Sequence, residues 1–205
     1  MAFYIRVSPM TNKNTVRQTL LNKRIQLSQN EQQKKSQRIV DHILQSTIFS
    51  DAQKIGYYYA VHREADPANL NIKKNSKKFY LPVISNKPQA LEFAPVIATT
   101  QYQNNQFSIP EPICKPGELI STNKLDLLIL PLLGFNKNGN RLGMGGGFYD
   151  RCLSYKQQNP EAKPILIGFA YNFQEVKALQ AEPWDIGLDW IATESGLEST
   201  ITSIK

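Results

Sequence analysis

The chain has 205 residues, 41% of them hydrophobic and 20% charged, the range of one large globular domain or two small lobes. That composition excludes disordered, collagenous and coiled-coil classes. An excess of 24 Lys and Arg over 17 Asp and Glu leaves a net charge of +7, which favours acidic partners: nucleic acid, anionic lipid, or phosphorylated or carboxylated small molecules.

The residues from Leu125 to Leu133 form one of the longest apolar runs and still contain Asp126, well short of the roughly 18 residues needed to span a bilayer. The first ten residues include Arg6 and Pro9 and lack the continuous apolar stretch and cleavage site of a signal peptide. A cytoplasmic protein with no membrane association is therefore expected, with residues 1–10 a loose extension of a single domain over 1–205. Cys114 and Cys152 form no CxxC pair, so both are expected as free thiols.

From Lys13 to Ser28 the pattern is helical, with Val16, Leu20 and Leu27 on one stripe and Lys13, Arg17 and Arg24 on a second stripe beside it. Spacing leaves two readings of the basic row open: a solvated face, or an anion-binding row bordering the buried seam. Ser28 followed by Glu31 predicts a capping box that starts a second helix, with Ile39, Val40, Ile43 and Leu44 as its apolar face. The short aromatic and branched run Lys54 to Val61 predicts a strand, ending in the polar segment His62 to Asp66. Asp66-Pro67 then reads as the start of a helix running to about Asn75.

Strands are predicted over Lys78 to Ile84, Leu91 to Val96, Leu125 to Leu132, Pro164 to Ala170 and Asp189 to Ala192. The stretch Gln101 to Pro116 reads as loop. Alternation of strands and helices predicts an α/β fold with a substantially parallel sheet, and Leu127-Leu128-Ile129-Leu130 is its candidate central strand, buried on both faces.

Chemistry concentrates in Asn138 to Arg151, which has four glycines within Gly143 to Gly147 and leads from the apolar strand into a helical pattern through Leu153 and Tyr155. Glycine at such density serves positive φ or close approach of a ligand, and successive N–H groups before a helix can converge on phosphoryl oxygens. The spacing is neither that of a P-loop nor that of a dinucleotide fingerprint. Arg141 could add a bidentate contact. Asp150 has two readings, a first-turn carboxylate stabilised by the helix dipole or a magnesium ligand. Nucleophile-elbow and HExxH patterns are absent, and His62 adjoins charged residues in a polar turn, which disfavours triads and zinc proteases.

Taken together, the basic helix with Lys13 and Arg17, the strand ending near Glu64, the Arg-Leu-Gly-Met-Gly-Gly-Gly-Phe-Tyr-Asp run from Arg141 to Asp150 and the stretch Pro183 to Asp189 resemble the 5-formyltetrahydrofolate cyclo-ligase family over nearly the whole chain. The resemblance implies a three-layer, Rossmann-like sandwich with a mostly parallel sheet, a topology shared with sugar-phosphate isomerases and coenzyme A transferases. It implies a monomer that uses ATP and magnesium to cyclise 5-formyltetrahydrofolate to 5,10-methenyltetrahydrofolate, releasing ADP and phosphate, with N10 attacking a phosphorylated formyl group. It assigns ATP contacts to Lys13, Asn14, Thr15, Val16 and Arg17 and to Arg141, Leu142, Gly143, Met144, Gly145, Gly146, Gly147, Phe148 and Tyr149. Arg17, Arg141 and Asp150 would act in catalysis, and Asp150 with Asp185 would hold magnesium. Tyr59, Glu64 and Met144 to Phe148 would face the folate. A polyglutamate tail of the folate would meet the cluster Lys73, Lys74, Lys77 and Lys78. Two positions depart from the family pattern: Met144, where many relatives carry Arg, which removes one charge from the loop, and Asn136, where Asp is frequent.

Two rival readings remain. An isomerase or transferase of the same fold would need neither the basic N-terminal helix nor Asp150. An RNA-binding module, prompted by the net charge and Tyr57-Tyr58-Tyr59, has no recognised motif in the sequence, and no nucleic-acid partner is expected.

Overall fold

A computed structural model describes residues 12–71, 76–84, 91–115 and 117–201. The expected N-terminal extension, Lys73, Lys74 and the end of the helix expected to reach Asn75 lie outside the described residues.

Helix α1 (Lys13–Ile25) starts where the Asn12 side chain accepts from the Asn14 N–H. It ends three residues earlier than expected, because Ser28 is already engaged in starting α2 (Gln29–Leu44). There the capping box is complete: Ser28 Oγ accepts from Glu31 N, and Glu31 Oε2 accepts from Ser28 N at 2.9 Å. Ile39, Val40 and Ile43 turn fully into the core. The short α3 (Thr47–Asp51), capped by Ser46, leads into β1 (Lys54–Gly56).

Strand β1 is shorter than predicted, since the chain leaves the sheet after Gly56. The predicted helix after Asp66-Pro67 is a single 3-10 turn, Ala68–Asn71, within the described residues. Asp66 caps it locally through the Ala68 N–H at 2.9 Å. Then come β2 (Lys78–Ile84) and β3 (Leu91–Val96), followed by a hairpin of β4 (Tyr102–Asn104) and β5 (Pro110–Pro112) in the stretch expected to be loop. Strand β6 (Leu127–Pro131) leads to a second hairpin, β7 (Gly134–Phe135) and β8 (Arg141–Leu142). After α4 (Phe148–Cys152), strands β9 (Ile165–Phe169), β10 (Trp190–Thr193) and β11 (Gly196–Ser199) close the order. The helix expected to run on through Tyr155 breaks at Leu153 and continues as a 3-10 turn.

The main sheet has seven strands in the order β11-β10-β9-β6-β1-β2-β3, parallel except at its two edges. Leu127 and Ile129 of β6 pack with Ile39, Val40 and Ile43 on one face, whereas Leu128 and Leu130 pack with Leu153 on the other. The result is the expected α/β sandwich, with α2 and α3 on one side of the sheet and α4 on the other. Trp190, partly buried, lies against the first of these clusters.

Topology fixes where a ligand can go. From β1 the chain moves to β2 on one side, then returns to β6 on the other side and continues outward to β9 and β10. Connections therefore diverge between the carboxyl ends of β1 and β6, the crevice in which open α/β sheets bind ligands.

Because Leu128 is fully buried at the centre, Leu128→Ala should lower the unfolding free energy by about 3 kcal/mol. Urea denaturation should show the loss as a lower midpoint at unchanged slope.

Candidate active site

The segment leaving β6 builds one wall of this crevice. Asn136 secures its hairpin: its Oδ1 accepts from the N–H groups of Asn138 and Asn140, both at 3.1 Å, while its Nδ2 donates to Leu179 O at 2.9 Å. An ionised Asp could accept in this turn but could not donate to Leu179.

Between β8 and α4 runs the glycine loop. Gly145 (φ 98°) and Gly147 (φ 65°) occupy the left-handed region that favours glycine, and Gly147 is the N-cap of α4. Gly143 differs. Its φ is not in that region, and a β-carbon there would meet nothing within 4 Å, so neither conformation nor packing within the protein demands glycine. Its α-carbon faces open space. Met144 is exposed beside it.

Helix α1 supplies the second wall. Val16 and Leu20 pack with Leu142, Val176 and Leu179, so Val16 faces the protein and docks the helix onto the root of the loop. The polar residues then reach over it: Arg17 Nε donates to Gly143 O at 2.9 Å and Arg17 Nη1 to Asn14 Oδ1 at 2.7 Å. Lys13 Nζ lies 2.9 Å from Glu182 Oε1 and 3.8 Å from Asp185 Oδ2. Thr15 is exposed and its carbonyl accepts from Thr19 Oγ1.

Behind the loop, Arg141 donates to Ile186 O at 3.0 Å and forms an ion pair with Asp150 Oδ1, which also accepts from Ile186 N. Asp185 Oδ2 accepts from Glu182 N at 2.8 Å. Each carboxylate thus commits one oxygen to the protein, while its other oxygen has no hydrogen-bond partner among the described residues. That donor set fits a hard divalent cation held by one or two carboxylates and completed by phosphate and water. Among the described residues no group of three or more His, Cys, Asp or Glu gathers as a self-sufficient metal site. Cys152 is pushed up to about 12, chiefly by burial, so it stays a thiol at neutral pH.

The third wall follows β1. Tyr59 is exposed, and Glu64 is buried behind a turn in which His62 (φ 48°) and Arg63 (φ 60°) are left-handed. Glu64 Oε2 accepts from Val61 N at 3.1 Å, and Glu64 Oε1 faces Arg24 Nη1 at 3.4 Å. Desolvation raises the Glu64 pKa, opposed by Arg24, the Val61 N–H and His62. The Tyr149 hydroxyl is also raised, mainly by burial, with Cys152 and the Glu64 charge adding to it and Arg141 opposing. Glu64 and the glycine-loop helix therefore belong to one electrostatic neighbourhood.

Sequence reasoning missed several participants. Arg24 was read only as part of a basic stripe, yet it is buried, which rules out a solvated face for this member. The β4–β5 hairpin brings Phe107 edge-on to Phe148, with centroids 5.8 Å apart, and sets Tyr102 near Tyr59. Its strands are fully exposed or proline-bearing, so no alternation of apolar residues announced them. Glu182 carried no motif. The two lysines of the cluster that lie among the described residues, by contrast, sit away from the crevice: Lys78 pairs with Lys54 at the amino end of β1, and Lys77 donates to Ser50 O and Ala52 O. Trp184 is exposed near Asp185. No helix among the described residues is long and apolar enough to cross a membrane.

Comparison with known proteins shows the family and the fold. The model of the 5-formyltetrahydrofolate cyclo-ligase family matches residues 9–194. A Haemophilus influenzae 5-formyltetrahydrofolate cyclo-ligase is 36% identical over 169 residues, covering 80% of this chain and 88% of the relative. The Escherichia coli protein of the same name is 31% identical over 172 residues, covering 82% and 93%. The solved structure of Aquifex aeolicus 5,10-methenyltetrahydrofolate synthetase superposes with a TM-score of 0.77 at 28% identity, covering 91% of this chain and 92% of that one. A Mycoplasma pneumoniae 5,10-methenyltetrahydrofolate synthetase gives 0.68 at 26%, covering 90% and 99%.

The raised pKa of Glu64 has a definite sign in stability. As pH rises past the ordinary carboxylate value, the unfolded chain releases this proton first, so Glu64 contributes less to stability until it ionises in the folded state, and its contribution is constant above that point. Across this window the unfolding free energy of the wild type should fall relative to that of Glu64→Gln, as read by urea denaturation at stepped pH; a constant difference would show that burial does not perturb the group.

Proposed function

The chain belongs to the 5-formyltetrahydrofolate cyclo-ligase family, and from that premise we propose that this ligase uses ATP and magnesium to close the ring of 5,10-methenyltetrahydrofolate in the crevice between β1 and β6. One observation carries the nucleotide half of the reading. Gly143 is required neither by its φ nor by packing, and the open backbone it provides lies under Arg17 and beside Arg141. A backbone strip open to a ligand and bordered by guanidinium groups suits a triphosphate.

Phosphoryl transfer demands positioning and charge neutralisation more than a protein nucleophile. In the proposed reaction the formyl oxygen takes the terminal phosphoryl group of ATP and ADP leaves. N10 then attacks the activated formyl carbon and gives up its proton to the departing phosphate as the C–O bond breaks and phosphate is released. Lys13, Arg17 and Arg141 bind the triphosphate and stabilise charge that develops on the transferred group. Asp150 and Asp185 would hold magnesium through their uncommitted oxygens, and the metal would supply further neutralisation of the phosphates. Glu64 accepts an N–H of the folate and, with Tyr59 and the loop from Met144 to Phe148, orients N10 toward the formyl carbon. The edge-to-face pair of Phe107 and Phe148 borders that side.

Mixing the protein with ATP, magnesium and 5-formyltetrahydrofolate should produce the absorbance of the methenyl product only when ATP is present. A folded protein that binds ATP without forming it would overturn the substrate assignment. Arg17→Ala should lower kcat by about 100-fold or more while thermal unfolding barely changes; Asp150→Asn should lower kcat as much and also lower the thermal midpoint, because the buried Arg141 side chain loses its ion pair. Gly143→Ala should fold normally yet raise the KM for ATP by about tenfold; an unchanged KM would remove the loop from the nucleotide site.

A further inference from the structure

Arg24 is the most unusual charged residue of the structure. It is 1% exposed, and its Nη2 is a buried donor without a hydrogen-bond partner. Its Nε donates to His62 O at 3.0 Å, and its Nη1 stands 3.4 Å from Glu64 Oε1. Arginine and a carboxylate usually meet as a two-pronged fork. Here the fork is incomplete, because Glu64 Oε2 is drawn to Val61 N instead. A buried donor left unpaired is a poor way to gain stability. The same arrangement leaves Glu64 Oε1 with a single long contact and hence with capacity to accept from a ligand.

Arg24 also grips the turn that aims this carboxylate. His62 and Arg63 are left-handed non-glycine residues, a conformation that persists only where surroundings enforce it. The enforcing contacts come from three directions: Arg24 of α1 on His62 O, Gln32 of α2 on Glu64 O at 2.7 Å, and the Tyr171 hydroxyl on Arg63 O at 3.2 Å.

We propose that Arg24 is a positioning residue for the folate side of the reaction, holding the Val61–Glu64 turn through the His62 carbonyl and presenting Glu64 as an ionised acceptor for an N–H of the substrate. The proposal rests on Glu64 facing the folate. Groups around this carboxylate are Arg24 from α1, His62 from its own turn, Tyr58 after β1 and Tyr149 from α4. Both tyrosine hydroxyls are raised and stay neutral, so Arg24 is the principal charge opposing desolvation of Glu64. Removing it lets the carboxyl hold its proton to higher pH, where the protonated group no longer offers a charged acceptor.

The test is a set of steady-state profiles from about pH 5 to pH 8 for wild type, Arg24→Met, Arg24→Lys, Glu64→Gln and the Arg24→Lys/Glu64→Gln double variant. Arg24→Met should raise the KM for 5-formyltetrahydrofolate by about tenfold, leave the KM for ATP unchanged, and move the acidic limb of kcat/KM for the folate to higher pH. Arg24→Lys should restore the limb, because the charge returns, but only part of the KM, because an ammonium cannot span His62 O and Glu64 together. In the Glu64→Gln background Arg24→Lys should add nothing further. A variant with a lowered thermal midpoint but wild-type KM and limb would make Arg24 purely structural and end the proposal. Should Arg24→Met fail to fold, Arg24→Lys decides alone, and a wild-type folate KM would overturn the idea. If Glu64→Gln itself leaves the folate KM unchanged, the assignment of Glu64 to the folate fails first, an outcome distinct from an altered Glu64→Gln profile with silent Arg24 variants.

Discussion

Strand β6 is buried on both faces, with Leu127 and Ile129 on one side and Leu128 and Leu130 on the other, and this constraint governs the rest of the molecule. A strand so enclosed can carry no polar chemistry along its length. Functional groups are displaced past its carboxyl end, where the chain is first free of the sandwich. Neighbouring β1 is subject to the same pressure and leaves the sheet after only three residues. Both exits open onto one crevice because the connections from the two strands run in opposite directions.

Helix α1 joins the two exits. Its apolar stripe, through Val16 and Leu20, seats on Leu142 at the root of the glycine loop. Its amino-terminal charges, Lys13 and Arg17, face that loop, while Arg24 two turns later reaches the turn that follows β1. One rigid rod therefore sets the distance between the glycine loop and the turn after β1. A displacement of the helix would disturb both at once, and the small apolar contact with Leu142 has functional weight beyond its area.

The parts of this arrangement that were legible in the sequence are those with a local signal. The capping box of α2 is carried by Ser28 and Glu31 alone, and the buried strand by an unbroken apolar run. Glycine density located the loop, although glycines do not reveal which are held by backbone conformation; Gly147 is, whereas Gly143 is required neither by φ nor by packing. Long-range relations were not legible. Arg24 and Glu64 are 40 positions apart, and only the fold brings them together. The β4–β5 hairpin lacks an apolar face of its own, so its polar residues read as loop. The short exit of β1 was overestimated because Tyr57 and Tyr58 are buried aromatic residues that resemble strand residues although they lie beyond the last sheet pairing.

The pairing of charges around the glycine loop bears on selectivity. Lys13 is held by Glu182, Arg17 by Gly143 O and Asn14, and Arg141 by Asp150. An arriving anion must compete with these partners, and a singly charged one replaces a single contact while leaving a carboxylate exposed to it. A polyvalent ligand accompanied by a cation exchanges the whole set together: the anion takes the basic groups as the cation takes the acids they release. Under the proposed function the site would favour ligands that bring both signs of charge, since such a ligand leaves neither the basic groups nor the acids unpaired.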